Sequence, residues 1–523
     1  MNLRYSITML SIAALLLSPS DLRARELADK AVTTDGKRPL GEVNLAIKLG
    51  APFCDNAILQ REMDAPVWGW SKPGTKITVE FAGQKKTALT GKDGKWLLKL
   101  APLKANVEPQ EMVISDSAGN KVTLKNILVG EVWICSGQSN MQYGWGSKSE
   151  LHHNWGSVPE LAALAPTAKA KPIRHYLVPT FVSLEPEKRC GGEWSTDVSG
   201  SAVAFGLSYY LNQKLNVPVG VIVTCWGSSS IEGWMPLDMT AQLPHFKTMI
   251  KKFDANDKAA VLELIEQQKT SGCVAGPWQG NKEVWVRTRP NLLYNAMLHP
   301  LVPYACRGMV WYQGEANAAQ PGQYAVSLPL WVKRLRAAWG RDDFHFLIVM
   351  LPGYGKDNGW PGAKSWAWFR EVQMGVLKEP HTSVANTIDL GGENNIHPAD
   401  KAPICERLAL LACRDVYGQK TVAQGPVFKG SCVKGNRIAI EFNNAEGLKT
   451  TDGAAPGGFW LAGSDKTWYP ARASIKGNKV EVEADGLASP VYVRYAFSSK
   501  PAVNLVNSDN LPAYPFRTDD WPQ

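Results

Sequence analysis

Short segments of alternating apolar and polar residues occupy residues 43–124, for example at 66–70 and 77–83. Pro-Gly and Asp-Gly turn signals separate these segments. Strands at this spacing are typical of a small sandwich of two sheets. The pattern therefore predicts an N-terminal β-sandwich over residues 40–126.

The middle of the chain carries near-continuous apolar runs, which are typical of parallel strands buried on both faces. The runs are residues 217–225, 308–312, 344–351 and 384–390. Helical patterns occur at residues 202–215, 323–339, 365–377 and 399–417. This alternation predicts a doubly wound α/β domain over residues 127–422, with ligands beyond the carboxyl ends of its strands. Blocks 143–200 and 236–293 break the alternation, and we interpret them as insertions.

Alternating patterns return near residue 425, at 437–442, 479–482 and 491–495. They predict a β-rich C-terminal region over residues 423–523.

The first 24 residues have the features of an export signal. Arg4 gives a positive start, residues 7–17 are apolar, and residues 22–24 offer a cleavage site. The apolar stretch is too short to span a bilayer comfortably, and no later segment is long enough. We therefore expect an exported protein, periplasmic or extracellular, without a membrane span.

The composition of the 523-residue chain, 45% hydrophobic and 20% charged, is that of a folded globular protein. The net charge of +9 is dispersed, and pairs such as Lys85 and Lys86 are short. Short pairs of this kind indicate solvated faces rather than a nucleic-acid stripe, so no nucleic-acid partner is expected. The oligomeric state stays open.

Nine cysteines are scattered along the chain without a C-x-x-C pair. Cys135, Cys225 and Cys306 lie in apolar runs, which favours buried free thiols over a disulfide scaffold. Cys190 and Cys273 lie in loop-like regions and are a candidate pair. H-E-x-x-H and P-loop motifs are also missing, so the sequence offers no case for a zinc site or a nucleotide hydrolase.

Residues 127–142 (ILVGEVWICSGQSNMQ) combine an apolar, β-prone run with a turn of small residues that holds Ser136 and Ser139. A strand followed by a tight turn is how many hydrolases present a nucleophilic serine. Alone, a serine in such a turn more often serves as a turn or capping residue. Far downstream, His397 opens an apparent helix and is a candidate base.

Other predicted strands also end in small or polar residues, at 226–234, 313–317 and 391–397. A hydroxyl, glycine N–H groups, a side-chain amide and an imidazole on one rim suffice for acyl transfer. The alternative is ordinary turn and capping chemistry at strand ends.

Three motifs resemble those of the sialate O-acetylesterase family, which belongs to the SGNH (GDSL-like) hydrolases. They are GEVWICSGQSNM at 130–141, WYQGEAN at 311–317 and IHP at 396–398. Supporting matches in the family's order are DNAILQR at 55–61, PVWG at 66–69, IEGWM at 231–235, LYNAM at 293–297 and WAWFREVQ at 366–373. The resemblance implies an SGNH-hydrolase-like parallel sheet.

Carried over by position, Ser139 matches the nucleophile and His397 the base. Gly227 and Asn317 match the oxyanion glycine and asparagine, and the N–H of Ser139 would be a further oxyanion donor. Ser136 is expected to belong to the turn.

Three positions depart from the family pattern. Ala316 replaces a common Ser, Ser228 replaces a second Gly, and Asn395 stands where many members have Asp before Ile-His-Pro. An amide orients an imidazole but cannot stabilise its cation with a full charge. The third member of the site is therefore left open between Asn395, Asp389 and Glu393.

The resulting hypothesis is a secreted carbohydrate O-acetylesterase that uses a Ser-His acyl-enzyme mechanism without metal or cofactor. Its expected partner is an O-acetylated carbohydrate, with O-acetylated sialic acid indicated by the resemblance. An acetylxylan or other polysaccharide esterase, a glycan-binding relative with impaired turnover and a long-chain lipase are the alternatives. Arg370, followed by Glu371, is a substrate contact or, as we favour, a structural residue.

Overall fold

The computed structural model describes residues 46–144, 158–271, 284–357, 359–362 and 366–522. The predicted export signal at residues 1–24 and Cys273 lie outside these residues. The other eight cysteines are free thiols, and Cys135, Cys225 and Cys306 are buried as expected. Among the described residues, no helix is long and apolar enough to cross a membrane.

The N-terminal region is built from eight strands in two sheets. They are β1 (Ile47–Leu49), β2 (Ile58–Gln60), β3 (Ala65–Ser71), β4 (Lys76–Phe81), β5 (Gln84–Leu89), β6 (Lys95–Leu100), β7 (Asn106–Asp116) and β8 (Lys121–Gly137). β1, β3 and β6 form one sheet, while β5, β4 and β7 join β8 in the other. Alternate residues of β4 and β6 are buried, as a sheet with one solvated face requires.

The long strand β8 connects this region to the centre of the molecule. Its first six residues are mostly exposed or half-buried, whereas every residue from Ile127 to Gly137 is buried. The change occurs at Ile127, where the sequence pattern places the start of the predicted α/β domain. The division of the chain into domains stays a prediction.

Six further strands complete the central sheet: β9 (Ile173–Leu177), β10 (Trp194–Ser195), β11 (Val219–Cys225), β12 (Gly308–Tyr312), β13 (His345–Val349) and β14 (Thr382–Ala385). The strand order is β10-β9-β11-β8-β12-β13-β14, and only the β10–β9 pairing on this path is antiparallel. Every residue of β11, β12 and β13 is buried, as predicted for parallel strands.

Two details of the predicted sheet were wrong. β9 is a parallel strand inside block 143–200, which we had interpreted as an insertion. Arg174 interrupts its apolar pattern, but this guanidinium is buried and donates to the carbonyl oxygens of Asn56 and Asn126. The strand predicted at 384–390 is Thr382–Ala385 instead, because the side chain of Asn386 turns the chain by accepting from the N–H of Ile388.

Eight α-helices are described: α1 (Ser139–Gln142), α2 (Pro159–Ala168), α3 (Ala202–Leu215), α4 (Pro244–Asn256), α5 (Lys258–Ser271), α6 (Pro321–Trp339), α7 (Trp366–Gly375) and α8 (Ala402–Asp415). Short helical turns lie at Ile231–Trp234, Leu237–Ala241, Val284–Thr288, Tyr294–Leu298, His299–Leu301, Glu315–Asn317 and Val376–Lys378. The four predicted helices of the α/β region correspond to α3, α6, α7 and α8.

Helices cover both faces of the central sheet. On one face the indole of Trp133 donates to Tyr417, just beyond α8, over 2.9 Å. Trp133 is paired with Gly308, and Trp311 lies three residues further along β12, so it points to the opposite face. There its ring packs on Trp331 of α6 with centroids 4.4 Å apart. The predicted doubly wound α/β fold is confirmed.

The C-terminal region is β-rich, as predicted. Its strands are β15 (Val427–Lys434), β16 (Arg437–Asn443), β17 (Lys449–Thr450), β18 (Phe459–Ala462), β19 (Trp468–Pro470), β20 (Arg472–Lys476), β21 (Lys479–Glu483), β22 (Tyr492–Tyr495), β23 (Leu505–Val506) and β24 (Phe516–Arg517). They form two four-stranded sheets and one two-stranded sheet.

Arg370 of α7 attaches this region to the α/β region. Its fully buried guanidinium donates to the carbonyl oxygens of Leu351 and Pro352 on one side and of Ser498 and Ser499 on the other. Arg370 is therefore structural, as we favoured, rather than a substrate contact.

Candidate active site

A strand, a tight turn and a short helix position Ser139. β8 ends at Gly137, whose φ of +142° is a conformation that favours glycine. A Cβ atom at this residue would lie only 2.1 Å from the carbonyl oxygen of Tyr312 on the neighbouring strand. The chain then turns at Gln138, and Ser139 begins α1 at the carboxyl edge of the sheet.

His397 contacts Ser139, although the two residues are 258 positions apart in the sequence. The Nε2 atom of its imidazole lies 2.7 Å from the Oγ atom of Ser139. With Nε2 unprotonated, the serine hydroxyl donates to it, which is the arrangement a nucleophile and its general base require. The loop between β14 and α8 carries His397, and the side-chain oxygen of Asn395 accepts from the backbone N–H of His397 over 2.8 Å.

Ser136, the other serine of the motif, lies inside β8 and is fully buried. Its hydroxyl has no hydrogen-bond partner among the described residues. The structure therefore places Ser136 in the strand rather than in the turn, away from the exposed rim.

Gly227 faces the candidate nucleophile. A Cβ atom on it would lie 3.4 Å from the Cβ of Ser139 and 3.1 Å from the side-chain oxygen of Gln142. The N–H of Gly227 donates to that Gln142 oxygen over 2.9 Å. A substrate oxygen bound at this N–H would have to displace the side chain of Gln142. No sequence signal marked Gln142 as a residue of the site.

Asn317 links two of the sequence motifs. Its amide nitrogen donates to both carboxylate oxygens of Glu232, at 3.2 and 3.0 Å. Its amide oxygen accepts from the N–H of Ile231 and from the side chain of Gln313, at 3.0 and 2.8 Å. The amide is thus held in one orientation, while its assignment as an oxyanion donor stays a prediction. Sequence reasoning missed the buried Glu232, although it lies in the supporting motif IEGWM.

The three candidates for the third member have different surroundings. The carboxylate of Asp389 accepts two hydrogen bonds from the guanidinium of Arg407, each 2.7 Å long. Glu393 is exposed, and Asn395 contacts the backbone of His397 as described above. The assignment of the third member stays a prediction.

A second layer of polar residues lies behind the nucleophile. The amide nitrogen of Asn140 donates to Glu315 over 2.5 Å and to the carbonyl oxygen of Ile396 over 3.0 Å. Its amide oxygen accepts from the ammonium group of Lys401 over 2.6 Å. Glu315 is part of the WYQGEAN motif, whereas no sequence signal marks Lys401.

Burial shifts the pKa of both charged groups in this layer. Lys401 is fully buried, with its ammonium 4.9 Å from the ring centre of Tyr143 and 5.4 Å from that of Tyr312. Desolvation lowers the pKa of Lys401 to about 7, against the opposing effect of Glu315. Desolvation also raises the pKa of Glu315, although Asn140 and Lys401 act in the other direction.

Two of the departures from the family pattern have a structural context. Ser228 has a φ of +61°, a left-handed conformation in which a glycine would be less strained. The N–H of Ala316 donates to the side chain of Gln138 over 3.3 Å, so this position is tied to the nucleophile turn through its backbone.

A family model and individual known proteins that match this chain are all described as acetylesterases. A family model described as a carbohydrate esterase, sialic acid-specific acetylesterase, matches residues 129–274 and 260–409. The sialate O-acetylesterase of Mus musculus is 28% identical over 72% of this chain and 75% of its own length. The sialate O-acetylesterase of Homo sapiens is 26% identical over 71% and 72%, respectively.

A solved structure is also similar over almost the whole chain. It is that of a carbohydrate acetylesterase from Xanthomonas citri, which superposes with a TM-score of 0.74 at 32% sequence identity. The match covers 91% of this chain and 100% of the other. The chain belongs to the sialic acid-specific acetylesterase family of carbohydrate esterases and is a carboxylic-ester hydrolase.

Proposed function

We propose that this protein is an exported carbohydrate O-acetylesterase in which Ser139 is the nucleophile and His397 the general base. The observation that carries the proposal is the 2.7 Å contact between Ser139 Oγ and His397 Nε2. This contact lies at the carboxyl ends of parallel strands, where α/β sheets bind their ligands. The predicted signal at residues 1–24 supports export.

In the proposed reaction, Ser139 attacks the acetyl carbonyl while His397 takes the hydroxyl proton. The N–H groups of Ser139 and Gly227 stabilise the oxyanion. The first residue of a helix has no intrahelical acceptor, and the N–H of Gly227 becomes available when the oxyanion displaces the Gln142 side chain that accepts from it. Asn317 is the third proposed donor, provided that its amide nitrogen gives up one of its two hydrogen bonds to Glu232. His397 then protonates the departing sugar oxygen, and it activates the water that releases acetate from Ser139.

O-acetylated sialic acid is the first proposed substrate, because the mammalian relatives are named sialate O-acetylesterases. An acetylated polysaccharide such as xylan is the second. The Xanthomonas citri relative is named as a carbohydrate acetylesterase, a description that specifies no particular sugar.

The test is acetate release from p-nitrophenyl acetate by wild type, Ser139→Ala and Ser136→Ala. We expect Ser139→Ala to lower kcat/KM by roughly 10³-fold or more, as loss of a nucleophile does. Ser136→Ala is the matched control. Its hydroxyl has no hydrogen-bond partner among the described residues, so it should retain wild-type turnover. A Ser139→Ala variant that stays active would reject the proposed nucleophile.

The substrate is then decided by comparing kcat/KM for O-acetylated sialic acid, acetylated xylan and an octanoyl ester. Preference for either acetylated glycan identifies the substrate class, while preference for the octanoyl ester would favour a lipase. Glycan binding without turnover on any ester would indicate the binding relative.

A further inference from the structure

The side chain of Asn140 joins the two segments that carry the candidate nucleophile and base. Asn140 follows Ser139 directly, and its amide nitrogen donates to the carbonyl oxygen of Ile396, the residue before His397. One amide therefore connects the neighbour of the nucleophile to the neighbour of the base. A shift of either segment would change the 2.7 Å contact between Ser139 and His397.

Lys401 and Glu315 hold this amide in one orientation. Each hydrogen of the Asn140 amide has an acceptor, at Glu315 and at Ile396, and the amide oxygen accepts from Lys401. A flipped amide would place its NH₂ group against the ammonium of Lys401 and its oxygen against the carboxylate of Glu315. Both contacts would be repulsive, so the two charges select a single rotamer.

We infer that Lys401 is a positioning residue of the esterase, acting through Asn140 to hold the nucleophile turn in register with the loop that carries His397. The inference rests on the proposed function, since it concerns the same Ser-His pair. A positioning role would explain why the ammonium group of Lys401 is fully buried. Burial of a charged group is unfavourable unless other interactions compensate for it.

The groups that face Lys401 come from several elements. Glu315, Asp400 and Cys405 interact with its charge, and the rings of Tyr143 and Tyr312 flank the ammonium. Burial outweighs these partners and lowers the pKa of Lys401 to about 7. The charge-assisted bond to Asn140 should therefore weaken as the pH rises above neutrality, which gives the role a kinetic signature.

The chain offers a matched control lysine. The ammonium of Lys171 donates to the side-chain oxygen of Asn212 over 3.1 Å and lies 5.1 Å from the ring centre of Tyr209. This is the same combination of lysine, asparagine and tyrosine, but Lys171 precedes β9 and contacts neither Ser139 nor His397 in the described structure. Lys171→Met therefore removes a contact between a lysine, an asparagine and a tyrosine at a half-buried position away from the site.

The experiment compares kcat and KM for p-nitrophenyl acetate in wild type, Lys401→Met and Lys171→Met. We expect Lys401→Met to lower kcat by about 10- to 100-fold with KM changed less than about threefold, because misalignment of the reacting groups acts on the chemical step. Lys171→Met should leave both parameters within about twofold of wild type.

A variant without the charges of Lys401 and Glu315 distinguishes a loss of positioning from a loss of folding. Lys401→Met alone leaves Glu315 buried without its cation, whereas Lys401→Met/Glu315→Gln removes the pair and keeps an acceptor for Asn140. We expect the double variant to have a Tm near that of wild type and still a reduced kcat. A double variant with wild-type kcat would overturn the inference.

The pH profile provides a readout that a merely structural lysine would not change. Wild-type kcat should decline as the pH rises from about 7 to 9, and this decline should be absent in Lys401→Met. A wild-type profile that stays flat over that interval would also overturn the inference. The proposed function is tested separately: if it fails, Ser139→Ala retains turnover, whereas an inactive Ser139→Ala beside a fully active Lys401→Met rejects only the positioning role.

Discussion

Two hydrogen-bonded Ser-His pairs lie at opposite edges of the central sheet, and they differ in how they are connected. At the carboxyl edge, Ser139 Oγ lies 2.7 Å from His397 Nε2. At the amino edge, Ser383 at the start of β14 lies 2.9 Å from His345 Nε2 at the start of β13. A carboxylate takes part in the second pair, because Asp415 accepts a hydrogen bond from Ser383.

The direction of the hydrogen bonds separates the two pairs. Ser383 gives its only proton to Asp415, so the ring of His345 must donate to the serine oxygen and cannot act as its base. His345 is also buried, and desolvation lowers its pKa to about 4. Ser139 instead begins the short helix α1, directly after the turn at the carboxyl edge of the sheet. A hydrogen-bonded serine and histidine therefore belong to a structural network at one edge and to a candidate catalytic site at the other.

The largest expected difference is between the two histidines. His397→Ala should lower kcat/KM by about 10³- to 10⁴-fold because it removes the proposed base. His345→Ala should change kcat/KM less than about twofold but lower the free energy of unfolding by about 2–4 kcal/mol, since it leaves a cavity and breaks a buried hydrogen bond. Steady-state kinetics and urea unfolding of both variants measure these effects. A folded His345→Ala protein without turnover would contradict the distinction.

The pH dependence of stability sharpens the comparison further. The unfolded chain protonates His345 near its ordinary pKa of 6.5, whereas the folded protein does so only near 4. Unfolded molecules thus bind more protons between these values, and the free energy of unfolding falls as the pH drops from 6.5 to 4. His345 alone contributes up to about 3 kcal/mol to this fall.

His345→Gln tests this contribution, because glutamine still donates to Ser383 but does not titrate. Urea unfolding at pH 7.5 and pH 4.5 should show a smaller loss of stability for the variant than for wild type. The slope will not vanish, since desolvation also lowers the pKa of buried His175, to about 3. Equal losses in the two proteins would show that His345 is not the titrating group.

Local patterns predicted much of the fold. The strand Gly308–Tyr312 lies at its predicted position, because an uninterrupted apolar run is a local signal. The helix Ala402–Asp415 lies within its predicted range, because Ile404, Leu408 and Leu411 recur at helical spacing. β9 escaped detection because Arg174 lies in a buried strand, where its cost is offset by distant carbonyl oxygens. Such compensation depends on tertiary contacts and leaves no trace in the local pattern.

The residues of the candidate site were likewise predicted only in part. Ser139 and His397 were found through motifs, and the structure brings them together. Lys401 was missed because a lone lysine is almost always a solvated residue, and only the fold shows that it is buried against Asn140. The partner of the imidazole was left open for a related reason: Asp389 looked available in the sequence, but it is paired with Arg407.

The smallest expected effect concerns Asn395, where many family members have Asp. The side-chain oxygen of Asn395 accepts from the backbone N–H of His397, and an aspartate would keep that bond. We therefore expect Asn395→Asp to change kcat/KM for p-nitrophenyl acetate less than about threefold, because the substitution preserves the turn. A gain above about tenfold would mean that the carboxylate reaches the imidazole and stabilises its cation. That carboxylate would then bind the histidine, whereas Asp415 at the amino edge accepts its hydrogen bond from the serine.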